Sequence, residues 1–329
     1  MIHTEEFQEF LKSPAFLEPL GLDAVPEFTP LGQGEYNVNY TFNHPNGQKL
    51  VLRINRGSQM HLPDQIGYEF TALKALAPSG RTPRALFCDS ERHCLVMEHL
   101  PGRPLRYGTD MEAAAEIFAD IHALPPAPGL IEPENPLNAI IDECRQMVLH
   151  YYEWEQADPE VVRLLETLDK EISAKNLTAP VGLRKCIVNT EVNSGNFLIN
   201  PDGQSYLIDW EKPLISEPAQ DLGHFLVPTT TFWKTDVILT PEEIRHFVRS
   251  YIRAVDGRFE TDSLAERLPL YFTVTCLRGV TWCAMACREY CQPGRAITNA
   301  DTFRKIQEYL QPDFLENLLK NYVRKDFLA

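Results

Sequence analysis

The chain has 329 residues, of which 44% are hydrophobic, and its formal net charge at pH 7 is −15. This length exceeds what a single hydrophobic core usually serves, so we expect two lobes around a cleft. The negative charge argues against a nucleic-acid partner, because nucleic-acid phosphates require clustered Lys and Arg side chains. The same charge favours a cationic partner.

The sequence contains no segment typical of export or of a membrane span. Residues 1–13 carry Glu5, Glu6 and Glu9, whereas a secretory signal begins with basic residues and continues into an apolar run. The longest uncharged apolar stretch, residues 279–287, is nine residues long, and a membrane helix needs roughly 20. We therefore expect a cytoplasmic protein with no membrane partner.

The chain has eight cysteines, which we interpret as reduced thiols because no export signal accompanies them. Cys283, Cys287 and Cys291 recur every four residues and would share one face of a helix. A metal site on that face is one interpretation. We favour buried core residues, because cysteine is commonly a small buried apolar residue and the surrounding stretch is apolar.

Residues 1–98 are the first predicted domain, a small lobe rich in antiparallel strands. The dipeptide Asn46-Gly47 is typical of a tight hairpin. The spacing of apolar residues predicts a helix over residues 67–76, which Pro78 ends. Short β-rich runs predict strands over residues 40–42, 50–54, 85–88 and 94–97.

Residues 99–329 are the second predicted domain, which is larger and mainly helical. Two short strands, residues 197–199 and 206–208, flank a turn at Asp202-Gly203. Helical patterns cover residues 111–124, 136–154 and 161–174. The predicted fold class is therefore α+β, with an antiparallel-sheet lobe followed by a helical lobe.

The residues that suggest chemistry concentrate in residues 188–211, which have the sequence VNTEVNSGNFLINPDGQSYLIDWE. The Asn196 amide follows the Glu191 carboxylate by five residues, and Asp209 follows Asn196 by thirteen. Phosphoryl transfer by a kinase needs such a set: a carboxylate at the acceptor hydroxyl, and Asn and Asp oxygens on Mg²⁺. Mg²⁺ typically takes one or two carboxylates and completes its shell with phosphate and water.

This segment resembles the catalytic loop of the aminoglycoside phosphotransferase and choline kinase superfamily, His-Gly-Asp-x-x-x-x-Asn followed by Ile-Asp-Trp-Glu. Residues 194–198 and 207–211 match the second half of that pattern, and Asp221 matches the aspartate that follows it. The resemblance implies a two-lobed protein-kinase-like fold that binds ATP and Mg²⁺ between its lobes. It also implies that Asn196 and Asp209 hold the metal.

The first half of the pattern differs, because Asn189-Thr190-Glu191 stands in place of His-Gly-Asp. The resemblance then makes Glu191 the catalytic carboxylate, one methylene longer than the usual Asp. A displacement of about 1 Å at such a site can lower the rate by about 10²-fold. The alternative is a catalytically silent pseudokinase that binds nucleotide or a partner. The two retained metal ligands favour the enzyme.

The amino-terminal domain carries further parts of the resemblance. Gly32 and Gly34 stand where the family has a phosphate-binding glycine loop, although a plain tight turn also fits them. Arg53 stands where the family has a cation on the ATP phosphates, and Glu69 on the next helix would pair with it. An ordinary surface ion pair is the alternative for these two residues.

Residues 95–102 resemble the hinge between lobes, where the family binds adenine through main-chain groups near Glu98 and Leu100. The implied cofactors are ATP, with GTP left open as donor, and Mg²⁺. The implied partner is a small-molecule hydroxyl acceptor of the aminoglycoside, amino alcohol or sugar class. The oligomeric state stays open.

Three other features have two interpretations each. Residues 228–234 either line the acceptor site with aromatic faces or form a loop that plugs the core. Glu211 either touches a second Mg²⁺ or a cationic substrate, or has a buried local partner. His122 matches a packing position of the family rather than a catalytic one.

Overall fold

The computed structural model describes residues 2, 4–34, 36–58, 60–178, 180, 182–292 and 299–325. The amino-terminal part contains a five-stranded antiparallel sheet of order β1-β2-β3-β5-β4. Its strands are β1 (Thr29–Gln33), β2 (Asn37–Asn43), β3 (Lys49–Asn55), β4 (Ala85–Asp89) and β5 (Cys94–Glu98). Its helices are α1 (Glu5–Lys12), α2 (Pro14–Leu20) and α3 (Gln65–Leu76).

Strand β3 divides its side chains between two faces of the sheet, since successive residues of a strand point to opposite sides. Leu50, Leu52 and Ile54 pack in a cluster with the phenylalanines of α1 and α2. Val51 belongs to the other cluster, which continues into the helical part of the chain. The alternation places Arg53 on the same face as Val51, towards the helical part.

Helix α3 begins at Gln65, two residues before the predicted start, because Asp64 caps it by accepting a hydrogen bond from Gly67 N at 2.8 Å. A Cβ at Gly67 would lie 2.1 Å from the Asp64 carboxylate, so any larger residue would displace this capping side chain. Glu69 of this helix is buried and contacts Arg53 of the sheet. Helices α1 and α2, which cover the outer face of the sheet, were not predicted.

The carboxy-terminal part is mainly helical, as predicted, and its long helix α10 is central. Its helices are α4 (Met111–His122), α5 (Pro136–Tyr152), α6 (Pro159–Ser173), α7 (Pro218–Leu226), α8 (Pro228–Thr235), α9 (Pro241–Val255), α10 (Leu264–Cys291), α11 (Ala300–Tyr309) and α12 (Pro312–Leu318). The α+β architecture with a sheet lobe and a helical lobe is confirmed. The sheet ends at Glu98, and the domain division at residues 98/99 stays a prediction.

Helix α10 is long and apolar enough to cross a membrane by length and composition alone, but 67% of its most apolar window is buried inside the protein. It behaves as a core helix. Cys283 is buried, Cys287 is half-buried and Cys291 is exposed. The interpretation of these cysteines as core residues is therefore right for Cys283 and wrong for Cys291.

Two short antiparallel strand pairs hold the segment that the sequence singles out. Strand β6 (Cys186–Val188) pairs with β9 (Leu214–Ser216), and β7 (Phe197–Leu198) pairs with β8 (Tyr206–Leu207). The predicted hairpin around Asp202 is confirmed. The chain leaves β6 into Glu191 and leaves β8 into Asp209, so both residues lie in the loops at the ends of paired strands.

Candidate functional site

Asp221 anchors the loop that follows β6. Its buried carboxylate accepts hydrogen bonds from Asn189 N at 2.8 Å and from Thr190 N at 3.0 Å. His122 is fully buried beside it, with Nε2 3.4 Å from the Asp221 carboxylate and Nδ1 2.9 Å from the Tyr251 hydroxyl. His122 thus has a packing and hydrogen-bonding environment in the core.

Asn189 and Thr190, which stand in place of His-Gly, stabilise this loop through hydrogen bonds. The Asn189 amide donates to the Asp209 carbonyl at 3.1 Å and accepts from Glu191 N at 2.9 Å, so it joins the two predicted functional segments. Thr190 has a φ of 65°, a conformation that glycine adopts without cost and a β-branched residue adopts with strain. Its hydroxyl donates to the Lys212 carbonyl at 2.8 Å.

The Glu191 carboxylate lies between two cations. Lys212 Nζ is 2.5 Å from Glu191 Oε1, and Arg278 Nη2 is 3.6 Å from the same oxygen. Burial alone would raise the pKa of Glu191, but Lys212, Arg278 and His224 lower that pKa to about 2. Glu191 is therefore ionised at neutral pH, as a group that orients a hydroxyl must be.

Asn196 and Asp209 lie side by side, because Ile208 N donates to the Asn196 carbonyl at 2.8 Å. The Asn196 amide nitrogen donates to the Glu191 carbonyl at 2.7 Å, which leaves the amide oxygen for another partner. Asp209 lines the cleft between the two parts of the chain. An amide oxygen and a carboxylate are hard oxygen donors of the kind that Mg²⁺ prefers.

Glu211 supports a cation at this place as well. Its carboxylate accepts a hydrogen bond from Asn37, which in turn accepts one from Asn55 at 2.9 Å. Burial and the nearby Asp209 carboxylate raise the pKa of Glu211 to about 7. Two carboxylates that repel each other in this way are stabilised by a cation between them. The site therefore fits Mg²⁺.

Arg53 joins the sheet to the carboxy-terminal part. Its Nη1 lies 2.6 Å from Glu69 Oε1 and 3.2 Å from Asp209 Oδ1, while Nε donates to Asn39 at 3.1 Å. Arg53 and Glu69 are 8% and 1% exposed, so the alternative of a surface ion pair is wrong. The other Glu69 carboxylate oxygen is buried and has no hydrogen-bond partner among the described residues.

A cleft of about 390 Å³ opens beside Arg53 and is lined by both predicted hinge residues, Glu98 and Leu100. The Glu98 carboxylate is occupied by Arg84 at 2.5 Å, so its side chain is not available to a ligand. The Leu100 N–H has no hydrogen-bond partner in the described ranges. It is thus a main-chain donor at the edge of the cleft, where the resemblance implies that adenine binds.

The two predicted phosphate-loop glycines stand apart from this cleft. Leu31 and Asn39 of the same hairpin line it, whereas Gly32 and Gly34 do not. Gly34 N donates to Asn37 O at 2.8 Å and closes the turn, so this donor is already used. A Cβ at Gly32 would meet nothing within 4 Å. Their phosphate-binding role stays a prediction, and Glu35 of the same loop lies outside the described residues.

On the other side of Glu191 lie two adjoining cavities of about 280 Å³ and 300 Å³. Lys212, His224 and Arg278 line both of them. Burial and the Arg278 charge lower the pKa of His224 to about 4, so its imidazole is neutral at pH 7. We call this region the acceptor pocket.

Residues 228–234 are helical and do not form the plugging loop that was one of the two interpretations. They lie in α8, and Thr229, Thr230 and Trp233 line the acceptor pocket. Sequence reasoning missed Lys212, His224 and Arg278. Lys212 directly follows the matched Ile-Asp-Trp-Glu stretch, and this position could have indicated a role in the site. Arg278 lies within an apolar pattern of α10, which gives no indication of such a role.

The comparisons with known proteins agree with this arrangement. The model of the phosphotransferase enzyme family matches residues 27–266. The choline kinase LicA from Streptococcus pneumoniae superposes with a TM-score of 0.61 at 18% identity, covering 95% of this chain and 100% of that chain. An ethanolamine kinase from Plasmodium vivax gives a TM-score of 0.62 at 13% identity, covering 95% and 91%.

A third similar structure is the ternary complex of an aminoglycoside phosphotransferase with streptomycin and ATP. Its TM-score is 0.57 at 13% identity, and the alignment covers 96% of this chain and 99% of that chain. At these identities the structural matches show the fold, which is the predicted protein-kinase-like one. The family match covers well over half of the chain, and with it the loop of Glu191 and the cleft of Asp209. The chain belongs to the phosphotransferase enzyme family.

Proposed function

We propose that the protein is an ATP- and Mg²⁺-dependent phosphotransferase that acts on a hydroxyl group of a small molecule. One observation carries the proposal: Arg53 binds both Glu69 and Asp209 at the back of the cleft. This contact brings together a strand, a helix and a loop that are distant in sequence. It brings a cation and a predicted metal ligand together in the cleft, which supports a role for both in binding phosphates.

The nucleotide side positions and neutralises the phosphates. Arg53, held by Glu69, binds phosphate oxygens through its guanidinium, whose planar donors suit them. Asn196 and Asp209 hold Mg²⁺, which when bound neutralises charge on the phosphates that it contacts. The Leu100 N–H binds the base.

On the acceptor side, Glu191 accepts a hydrogen bond from the hydroxyl and orients it towards the transferred phosphoryl group. With a pKa of about 2 this carboxylate is a weak base, so it removes the proton only as transfer proceeds. Lys212 and Arg278 both contact Glu191 Oε1, so the hydroxyl binds the other carboxylate oxygen. Lys212 is then a cation close to the reacting groups.

ATP is the donor that we favour, supported by the streptomycin–ATP complex of the similar phosphotransferase, while GTP remains open. Aminoglycosides, amino alcohols and sugars are the proposed acceptors, because the similar structures include a choline kinase and an ethanolamine kinase. We propose a cytoplasmic location, where ATP is available.

The alternative is a protein that binds nucleotide without transferring phosphate. It is supported by the replacement of His-Gly-Asp and by the ion pair that engages Glu191 with Lys212. Retention of Asn196 and Asp209 supports the enzyme, since a scaffold has less need of two metal ligands.

A screen of hydroxylated amines, sugars and alcohols with Mg²⁺ and ATP separates the two functions. We expect at least one acceptor to stimulate ADP release, and the same acceptor to raise the melting temperature of the protein, because ligands stabilise the folded state by mass action. Binding of Mg-ATP without turnover of any acceptor would establish the alternative. Absence of nucleotide binding would refute both.

A further inference from the structure

The acceptor pocket has more hydrogen-bond donors than its own carboxylates use. Lys212 and Arg278 have side chains only 12% and 21% exposed, yet both line the two adjoining cavities. Among the residues that the structure describes, the Lys212 ammonium donates only to Glu191. Since an ammonium has three N–H groups, two are left for a ligand.

The guanidinium of Arg278 makes its contacts through Nε and Nη2. Its Nε and Nη2 bind Glu143 at 3.0 Å and 3.3 Å, and Nη2 lies 3.6 Å from Glu191. Its Nη1 has no hydrogen-bond partner in the part of the chain that the structure describes. The two N–H groups of Nη1 add to the two of Lys212, and the neutral His224 imidazole adds a further donor.

The carboxylates around the pocket are already engaged. Glu191 is paired with Lys212 and Arg278, Glu143 is paired with Arg278, and Glu211 accepts from Asn37. A cationic acceptor that reached Glu191 would lie close to Lys212 and Arg278, the two cations that already contact this carboxylate. An anion finds unused N–H groups on these two cations, and such charge-assisted hydrogen bonds are the strong ones.

We propose that the acceptor carries an anionic group, a carboxylate or a phosphate, which Arg278 and Lys212 bind beside Glu191. That the bound molecule is the phosphate acceptor rests on the proposed function. The binding of an anion by Arg278 and Lys212 does not, since this site needs no nucleotide. It replaces the cationic partner that the net charge of the chain favours, and it narrows the acceptor classes proposed above to molecules that also carry a negatively charged group. The overall charge of −15 describes the whole chain, whereas binding depends on the charges that face the pocket.

The rest of the pocket indicates what surrounds the anionic group. Trp233, Trp282 and Tyr309 form one wall of the cavity, with Trp233 packed edge-to-face against both of the other rings. Such a wall suits an apolar or ring-shaped body. The acceptor is therefore a hydroxylated acid with a flat or apolar portion.

The test uses three ring probes of matched shape and different charge: benzoate, benzamide and benzylamine. None of them has a hydroxyl to phosphorylate, so calorimetric titration or the fluorescence of Trp233 and Trp282 reports binding alone. We expect benzoate to bind most tightly. Phenyl phosphate, titrated in parallel, shows whether the pocket prefers a carboxylate or a phosphate.

Two variants link the binding to the proposed residues. Arg278→Gln should weaken benzoate binding by about 10- to 100-fold, the range for a lost charged hydrogen bond, and should leave benzamide almost unchanged. Lys212→Gln removes the second cation in case the Arg278 variant does not fold, and Arg278→Lys should restore part of the affinity. Arg324→Gln, which removes a surface ion pair with Glu171, is the matched control.

Each other outcome would overturn the inference. Tightest binding of benzylamine, or binding of none of the probes, would show that the pocket does not select an anion. Benzoate binding that is unchanged in both Arg278→Gln and Lys212→Gln would give these residues a purely structural role. Loss of benzoate binding in Arg53→Lys instead would place the anion in the nucleotide cleft. None of these results bears on Mg-ATP binding, whose failure would refute the proposed function separately.

Discussion

The nucleotide side and the acceptor side of the site are built in opposite ways. On the nucleotide side one cation, Arg53, stands between Glu69 and Asp209, and Glu211 adds a further carboxylate. On the acceptor side two cations, Lys212 and Arg278, share the Glu191 carboxylate, and Glu143 also pairs with Arg278. An excess of carboxylates attracts a metal ion, whereas unused N–H groups on buried cations bind an anion. The same fold can thus present opposite charge preferences a few residues apart along the chain.

The two sides also differ in how deeply their charged side chains are buried. Arg53 and Glu69 are almost completely buried, so their ion pair is part of the core as well as of the cleft. Glu191, Lys212 and Arg278 keep between 12% and 26% of their side chains exposed to the cavities. We therefore expect substitutions on the nucleotide side to affect folding as well as binding, and substitutions on the acceptor side to affect mainly turnover and selectivity.

The largest effect is expected for Glu191→Gln, which keeps the shape of the side chain but removes the charge that accepts the hydroxyl proton. Turnover of an acceptor found in the screen should fall by about 10²- to 10⁴-fold, while the affinity for Mg-ATP should barely change. Steady-state kinetics and calorimetry measure the two quantities. Glu191→Asp should retain partial activity or none, because the loop is shaped for the longer residue.

Glu143→Gln is the matched control for that substitution, since Glu143 is a carboxylate that pairs with the same Arg278 but has no proposed catalytic or metal-binding role. It should lose far less turnover than Glu191→Gln. Equal rates for wild type and Glu191→Gln would remove Glu191 from catalysis.

The next largest effect concerns folding on the nucleotide side. Arg53→Ala leaves the buried Glu69 charge without its partner and should lower the free energy of unfolding by about 3–5 kcal/mol. Arg324→Ala removes the exposed ion pair with Glu171 and should cost about 0–1 kcal/mol. Urea unfolding of both variants measures the difference. A similar small loss for the two would mean that Arg53 and Glu69 are not held in a core.

A smaller loss is expected at Gly279, where α10 passes close to α8. A Cβ at Gly279 would lie 2.5 Å from Thr229 Cβ, too close for the helices to keep their positions. Gly279→Ala should therefore lower the free energy of unfolding by about 1–3 kcal/mol, despite the better helix propensity of Ala. Gly108→Ala, where a Cβ would meet nothing within 4 Å, is the control. Equal melting temperatures would show that α8 and α10 can separate.

The smallest effect concerns acid pH and His224. Burial and Arg278 lower the folded-state pKa of His224 to about 4 from 6.5, so between these pH values the unfolded chain binds a proton that the folded chain does not. The contribution of His224 to the free energy of unfolding is therefore complete above pH 6.5 and is lost as the pH falls towards 4. His224→Gln should lose less stability than wild type over that range, measured by melting at several pH values. Parallel curves would mean that His224 titrates normally.

The sequence singled out more of the charged residues on the nucleotide side than on the acceptor side, for physical reasons. Arg53, Glu69 and Asp209 each lie in a short local pattern: a strand, a helix and a strand end. Burial of the Arg53–Glu69 pair could not be inferred, because it depends on how α3 packs against the sheet. The glycine loop shows the opposite case, since its pattern was present but Gly32 and Gly34 lie outside the cleft.

The acceptor pocket depends on contacts between elements far apart in the chain. Arg278 reaches Glu191 across 87 residues because α10 packs between α5 and α7, and no local pattern encodes that packing. The net charge of the chain suggested a cationic partner because it counts all charged residues, and most of the acidic residues are exposed to solvent. Helices α1 and α2 could not be predicted with the same ease, because they have only 8 and 7 residues and α2 contains Pro19, which is unfavourable inside a helix.

The most direct test of the account is a calorimetric titration of ATP with and without Mg²⁺, for wild type and Asp209→Asn. We expect Mg²⁺ to strengthen ATP binding to wild type, because the phosphates and the oxygens of Asn196 and Asp209 complete the metal shell together. In Asp209→Asn this gain should be largely lost, with Mg-ATP bound about 100-fold more weakly. Equal affinity for Mg-ATP in the two proteins would contradict the account, because Asp209 would then have no part in the metal site.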